Sequence, residues 1–123
     1  MKPLSNELID LNEQTFVAEN KDRVDWETFL QQTLSADFRI RRANGYVVQN
    51  KWEMIEQIRR DDRKRHPPIG PGGGEEDGYG VVASIITLEN DPSNKRYHNI
   101  KVFTRQPPSE EWQCVYWRVT ELP

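Results

Sequence analysis

The segment 112–120 (WQCVYWRVT) carries the residues best suited to ligand chemistry. Its strand-like alternation predicts that every second side chain lies on one face of a sheet. On that face Arg118 could receive an anionic or carbonyl group, and Tyr116 adds a hydroxyl. Because an unpaired guanidinium is costly to bury, an inward Arg118 needs a ligand anion or a carboxylate partner. The alternative is that Arg118 faces solvent or pairs with one of the 20 acidic residues. The predicted face comprises Trp112, Cys114, Tyr116, Arg118 and Thr120.

Further residues complete the predicted pocket. Trp52 and Trp112 supply apolar walls, and Arg42 and His98 are additional polar candidates. The strand register is open at this stage, so segment 97–105 could present either of two alternating sets to the pocket. One set is His98, Ile100, Val102 and Thr104, and the other is Tyr97, Asn99, Lys101, Phe103 and Arg105.

Several classes of chemistry find no support. The single cysteine, Cys114, excludes an internal disulfide, and its place inside a predicted strand indicates a buried thiol, not a nucleophile. The two histidines lack the spacing of zinc ligands, and no cofactor is implied. A net charge of -3 argues against general nucleic-acid affinity. Because no apolar run is long enough for a membrane helix or a secretory signal, we expect a soluble, cytoplasmic protein that contacts no membrane.

The apolar content is low but unevenly distributed. Only 35% of the 123 residues are hydrophobic, yet the segment 61–78 (DDRKRHPPIGPGGGEEDG) contains just one of them. Its prolines and glycines predict a flexible loop, able to act as a lid, within a single domain spanning 1–123. The overlapping basic run 59–66 (RRDDRKRH) could dock an acidic partner or a phosphate, although a solvated helix end is the favoured interpretation.

The elements that must position these residues follow from local patterns. Apolar spacings of three and four predict a helix over 4–20, and a second helix begins after Asp25. Asn44-Gly45 predicts a hairpin over 38–49, and Asn50 with Glu53 forms a capping pattern for a helix from Lys51 to about Arg60, with Trp52 on its buried side. Strands are predicted at 79–88, 97–105 and 112–120. Their short connections predict an antiparallel sheet and an α+β domain of order ααββαβββ.

This order resembles the nuclear transport factor 2-like superfamily, whose conical α+β fold occurs in ketosteroid isomerase, SnoaL-type polyketide cyclases and the calcium/calmodulin-dependent kinase association domain. The phrases LSADFRIRRANGYVVQNKWEMI (34–55) and HNIKVFTRQPPSEEWQCVYWRVT (98–120) carry the resemblance, which covers almost the whole chain. It implies a curved antiparallel sheet packed on three helices, with a pocket between them. Since the fold hosts enzymes, transport factors and assembly domains, it defines no reaction.

Three functional hypotheses remain open. The first is a binding domain for a small polar or anionic organic molecule. The second is a SnoaL-like isomerase, cyclase or dehydratase acting on a hydrophobic carbonyl compound without a cofactor. Arg42 occupies the position that resembles the isomerase's carboxylate base, which counts against proton abstraction there. The third is a structural association domain with a vestigial pocket.

The strand 79–88 indicates self-association. Both of its faces are apolar, whereas a strand with one solvated face would be half polar. We therefore predict a homodimer through the sheet, in which Val115, Trp117 and Val119 join the same outward surface.

Overall fold

The three predicted helices are present, and side chains fix their ends. In the computed structural model, which describes residues 1–123, the Ser5 hydroxyl caps the first helix. Asn50 Oδ1 accepts from the Glu53 amide at 2.9 Å and so starts the third helix as predicted. Lys51 Nζ donates to the Gln31 carbonyl at 2.6 Å and satisfies the end of the second helix. The helices are α1 (Asn6–Glu19), α2 (Trp26–Thr33) and α3 (Lys51–Arg60). No helix is both long and apolar enough to cross a membrane.

The six strands form one mixed sheet, which corrects the antiparallel prediction and confirms the α+β class. The first and last strands are parallel neighbours, with Ile40 opposite Trp117. The prediction rested on short connections between consecutive strands, and it missed this pair because most of the chain lies between the two strands. The order across the sheet is β2-β1-β6-β5-β4-β3. The strands are β1 (Leu34–Arg41), β2 (Val47–Val48), β3 (Ile69–Glu76), β4 (Tyr79–Thr87), β5 (Arg96–Thr104) and β6 (Gln113–Glu121).

The segment predicted to be a flexible loop contains the edge strand β3. Gly72 pairs with Ala83, and the pairing with β4 continues to the end of β3. Lys2 pairs with Glu75 on the other side of the strand. Glycine usually disfavours strands, but the close approach of β3 and β4 requires it here. A Cβ on Gly73, whose φ is +123°, would lie 2.0 Å from a β4 carbonyl oxygen.

The core lies between the helices and the inner face of the sheet. On α3, Lys51, Ile55 and Ile58 follow the spacing of one helical face, and Lys51 turns toward α2. Trp52 is therefore displaced outward and is 57% exposed, contrary to the prediction that it is buried. The buried apolar residues of the sheet include Phe38, Ile40, Val82, Ile86, Phe103, Cys114 and Trp117.

Candidate functional site

A cavity of about 510 Å³ opens between the C-terminal end of α1, the β1–β2 turn, the end of α3 and the inner face of the sheet. Apolar side chains from α1, β4 and β6 form part of its wall, including Phe16, Ile86 and Val119. Four arginines and two carboxylates also line it, so their formal charges sum to +2. The charged residues are Glu19, Arg42, Arg60, Asp61, Arg63 and Arg65.

The β1–β2 turn places Arg42 in the cavity. The Arg42 amide donates to the Tyr46 carbonyl at 2.8 Å, and Gly45 adopts φ +87°, as expected for an Asn-Gly turn. Nη2 of Arg42 donates to the Gln57 side chain at 3.3 Å, whereas Nη1 lies 3.5 Å from Glu19. These contacts are long for charge-assisted hydrogen bonds, so the guanidinium is weakly engaged within the protein.

A buried ion pair forms the inner end of the cavity. Arg65 Nε lies 3.1 Å from Glu19 Oε1, and their side chains are only 7% and 3% exposed. Asn20 holds the Arg65 backbone in place, since its amide donates to the Arg65 carbonyl and accepts from the Arg65 amide, both at 2.9 Å. This contact ties the segment after α3 to the end of α1.

Asp61 orders the two arginines that follow it. Its carboxylate lies 2.9 Å from Arg63 Nε and 3.1 Å from Arg65 Nη2. Partial burial by itself raises the pKa of Asp61, but the hydrogen bonds from the Arg63 side chain and backbone and the charge of Arg65 outweigh it and hold the pKa well below its usual value. Asp61 is therefore an anion at neutral pH and does not serve as a proton donor.

The cavity contains Arg42 but not the other five predicted ligand residues. Tyr116 lies opposite Val102 and Arg118 opposite Ile100, on the face of the sheet that points away from the helices. The cause is a register shift in β6 between Cys114 and Tyr116. It turns both Cys114 and Trp117 inward, so the predicted common face of β6 is wrong.

The remaining three residues are also elsewhere. His98 lies opposite Thr120 on the same outer face as Arg118. Trp52 is on the exposed side of α3. Trp112 is buried, and the guanidinium carbon of Arg105 lies 4.5 Å from the centroid of its ring. Of the two sets considered for β5, the one with Asn99, Lys101 and Phe103 faces inward.

The residues that sequence reasoning missed come mainly from the basic run 59–66. Arg60, Arg63 and Arg65 line the cavity, whereas the favoured interpretation was a solvated helix end. The basic run indicated a possible anion site. Whether its arginines point into the cavity or into solvent depends on the hydrogen bond between Arg65 and Asn20, which is 45 positions away in the chain. Tyr97 and Asn99 complete the polar lining from β5.

Acid–base chemistry has one candidate pair at the cavity. The Tyr46 hydroxyl, at the turn, donates to Glu53 Oε1 at 2.7 Å. The hydrogen bond to Glu53 and its negative charge raise the pKa of Tyr46, which keeps the phenol protonated. Tyr46 is exposed, so this pair lacks the desolvated surroundings that tune catalytic groups.

The comparisons with known proteins define the fold. No family model matches the sequence, and no curated protein matches it. An NTF2-like protein from Cytophaga hutchinsonii is 13% identical, with a TM-score of 0.73 over 97% of this chain and 100% of that one. The CaMKII hub of S. rosetta is 12% identical, with a TM-score of 0.76 over 98% and 99% of the two chains. A cystatin-like protein of unknown function from Nostoc punctiforme is 12% identical, with a TM-score of 0.73 over 100% and 96%. The expected resemblance to the nuclear transport factor 2-like fold is confirmed.

Proposed function

We propose that this protein binds a small organic carboxylate in the cavity at the end of α1. The observation that carries the proposal is the excess of arginine over carboxylate in a partly enclosed space. Glu19 and Asp61 neutralise two of the four arginine charges that line the cavity. A carboxylate would satisfy the remaining guanidinium donors, which bind planar anions in a bidentate manner.

The apolar part of the cavity favours an organic anion over an inorganic one. Phe16, Ile86 and Val119 offer surface for a carbon skeleton next to the arginines. The volume of about 510 Å³ lies in the range of small-molecule sites. Among the arginines, Arg42 is the best ligand contact because its nearest carboxylate, on Glu19, is 3.5 Å away. The other three arginines each have a carboxylate oxygen within 3.1 Å.

Arg42→Gln is expected to weaken binding of succinate about 10-fold or more, because it removes a charge-assisted contact that is worth about 1.5–3 kcal/mol. Isothermal titration calorimetry with succinate measures the effect. Arg59→Gln is the matched control, since Arg59 pairs with Glu27 and Glu56 and does not line the cavity. Equal affinities for the two variants, or no binding of succinate, acetate or benzoate to the unaltered protein, would contradict the proposal.

A second candidate function is association through the outer face of the sheet. Val81, Ala83 and Ile85 on β4 lie next to Ile100 and Val102 on β5, and these residues remain partly exposed. Such a continuous apolar area is typical of an interface. The fold shared with a hub domain also supports association. This surface differs from the predicted one, because Trp117 and Val119 point inward. Its border carries the exposed residues Arg39, Arg41 and Arg118.

Val102→Glu is expected to convert a dimer into a monomer, because it places a charge within the apolar area. Light scattering should give twice the chain mass of 14.5 kDa for the unaltered protein and the single mass for the variant. Val24→Glu, at a fully exposed position outside this face, should leave the dimer intact. A monomeric unaltered protein at micromolar concentration would refute the dimer.

A further inference from the structure

A fully buried amine lies directly behind the cavity wall. Lys101 Nζ, on the inner face of β5, is 3.3 Å from the centroid of the Phe16 ring and 4.1 Å from that of Trp117. It donates to Asn12 Oδ1 at 3.0 Å, to the Asn12 carbonyl at 3.3 Å and to the Thr15 hydroxyl. No carboxylate is bonded to it. Two ring faces and three oxygens therefore replace water around this group.

Both aromatic neighbours of Lys101 support the cavity lining. Phe16 is itself a lining residue. Trp117 donates from its indole nitrogen to Asn99 Oδ1 at 2.7 Å, and Asn99 is also a lining residue. The Lys101 amine therefore contacts one lining residue, Phe16, and the ring of Trp117, which is bonded to a second lining residue, Asn99.

Charged residues of the cavity also affect the pKa of Lys101. Burial lowers the pKa of Lys101 to about 7, while the charge of Glu19 acts to raise this pKa and the charge of Arg65 acts to lower it. Glu19 and Arg65 line the cavity, so a ligand carboxylate beside them would act in the same direction as Glu19. Burial raises the pKa of Cys114 to about 12, which leaves it neutral. The other polar groups at the amine, Asn12 and Thr15, do not titrate in this range, nor does Ser84, which accepts from the Asn12 amide.

We propose that Lys101 is a positioning residue of the carboxylate cavity and that anion binding is accompanied by uptake of a proton at Lys101 Nζ. The proton comes from the buffer and adds to the nitrogen lone pair. The neutral amine has two N–H groups for three oxygens, whereas the ammonium has three, so protonation completes the hydrogen bonds to α1. This inference rests on the proposed carboxylate site.

Calorimetry with succinate at pH 7.5, in two buffers of different ionisation enthalpy, measures the coupling. Succinate is suitable because its carboxyl groups stay ionised above pH 7. We expect an uptake of about half a proton per site in the unaltered protein if the bound anion raises the pKa of the amine by about one unit.

Uptake should vanish in Lys101→Met, whose affinity should also lose its rise toward lower pH. His66→Gln, next to Arg65, should retain the uptake. Binding without uptake, or uptake that persists in Lys101→Met, would overturn this inference and leave the carboxylate site standing. Failure of every carboxylate to bind would instead overturn the site itself, and this inference with it.

A ligand-free measurement tests the titration of Lys101 separately. Because its pKa is lower in the folded than in the unfolded chain, the unfolded chain binds more protons above pH 7, and stability should rise as the pH increases from about 7 to about 8. This window lies below the pH at which the thiol of Cys114 ionises in the unfolded chain, which would act in the opposite direction. Urea unfolding should show this rise in the unaltered protein and in His66→Gln. A stability that does not change over this range in the unaltered protein would refute the titration of Lys101.

A second variant replaces Lys101→Met if that variant is too unstable to study. Asn12→Ala removes an oxygen that favours the ammonium, so it should make the proton uptake on succinate binding smaller.

Discussion

Arg65→Met is expected to destabilise the protein by about 3–5 kcal/mol, because it leaves the buried carboxylate of Glu19 without its main partner. Only the more distant Arg42 would remain, at 3.5 Å. The free energy of unfolding from urea titration measures the loss, and the slope with denaturant should stay constant. Glu19→Gln should also destabilise the protein, since it leaves Asp61 as the one carboxylate paired with the buried Arg65 guanidinium.

Two controls separate the ion pair from a general loss of packing. The double variant Arg65→Met with Glu19→Leu should lose much less than the sum of the single variants, because it removes both charges together. Arg59→Met removes an exposed ion pair and should change stability little. Additive losses in the double variant would show that Arg65 and Glu19 do not act as a pair.

Gly73→Ala is expected to cost at least about 1–3 kcal/mol from its backbone conformation alone. Further loss follows because the added Cβ would lie 2.0 Å from the Val81 carbonyl oxygen and force β3 away from β4. Urea unfolding measures the loss, and faster amide hydrogen exchange at Val82 and its neighbours would locate it.

Gly72→Ala is the matched control for this strand. Gly72 has an ordinary φ, and a Cβ there would meet nothing within 4 Å. Its replacement should be neutral or stabilise by up to about 1 kcal/mol, because alanine restricts the unfolded chain. If the two glycine variants behaved alike, residues 69–76 would be a loop, as the sequence suggested, and not the edge strand of the sheet.

The helices and the hairpin were predictable because short-range interactions determine them. The Asn50 cap bonds an amide three residues away, and the Asn44-Gly45 turn needs only a residue that tolerates positive φ. The same reasoning failed for Trp52, since Lys51 takes the inward position to bond the end of α2. It also failed for β3, where Gly73 serves a close approach that local propensity does not reveal.

Of the six residues predicted for the candidate site, only Arg42 lies in the cavity. An arginine-containing pocket for an anion was expected, and Arg42 was among its residues. Strict alternation along β6 predicts an inward Arg118, but the register shift after Cys114 reverses the faces beyond it. The other arginines of the cavity come from the end of α3 and the segment after it, for which the sequence favoured a solvated helix end.

Local sequence patterns were enough to predict the α+β class, the three helices and five of the six strands. These properties follow from periodicity, caps and turn residues within a few positions of one another. Long-range packing, in contrast, makes β1 and β6 parallel neighbours, places Lys101 within the core and brings Glu19 next to Arg65. Glu19 and Lys101 are stable inside the protein because their partners neutralise or hydrogen-bond them, and these partners lie far away in the chain until packing brings them together.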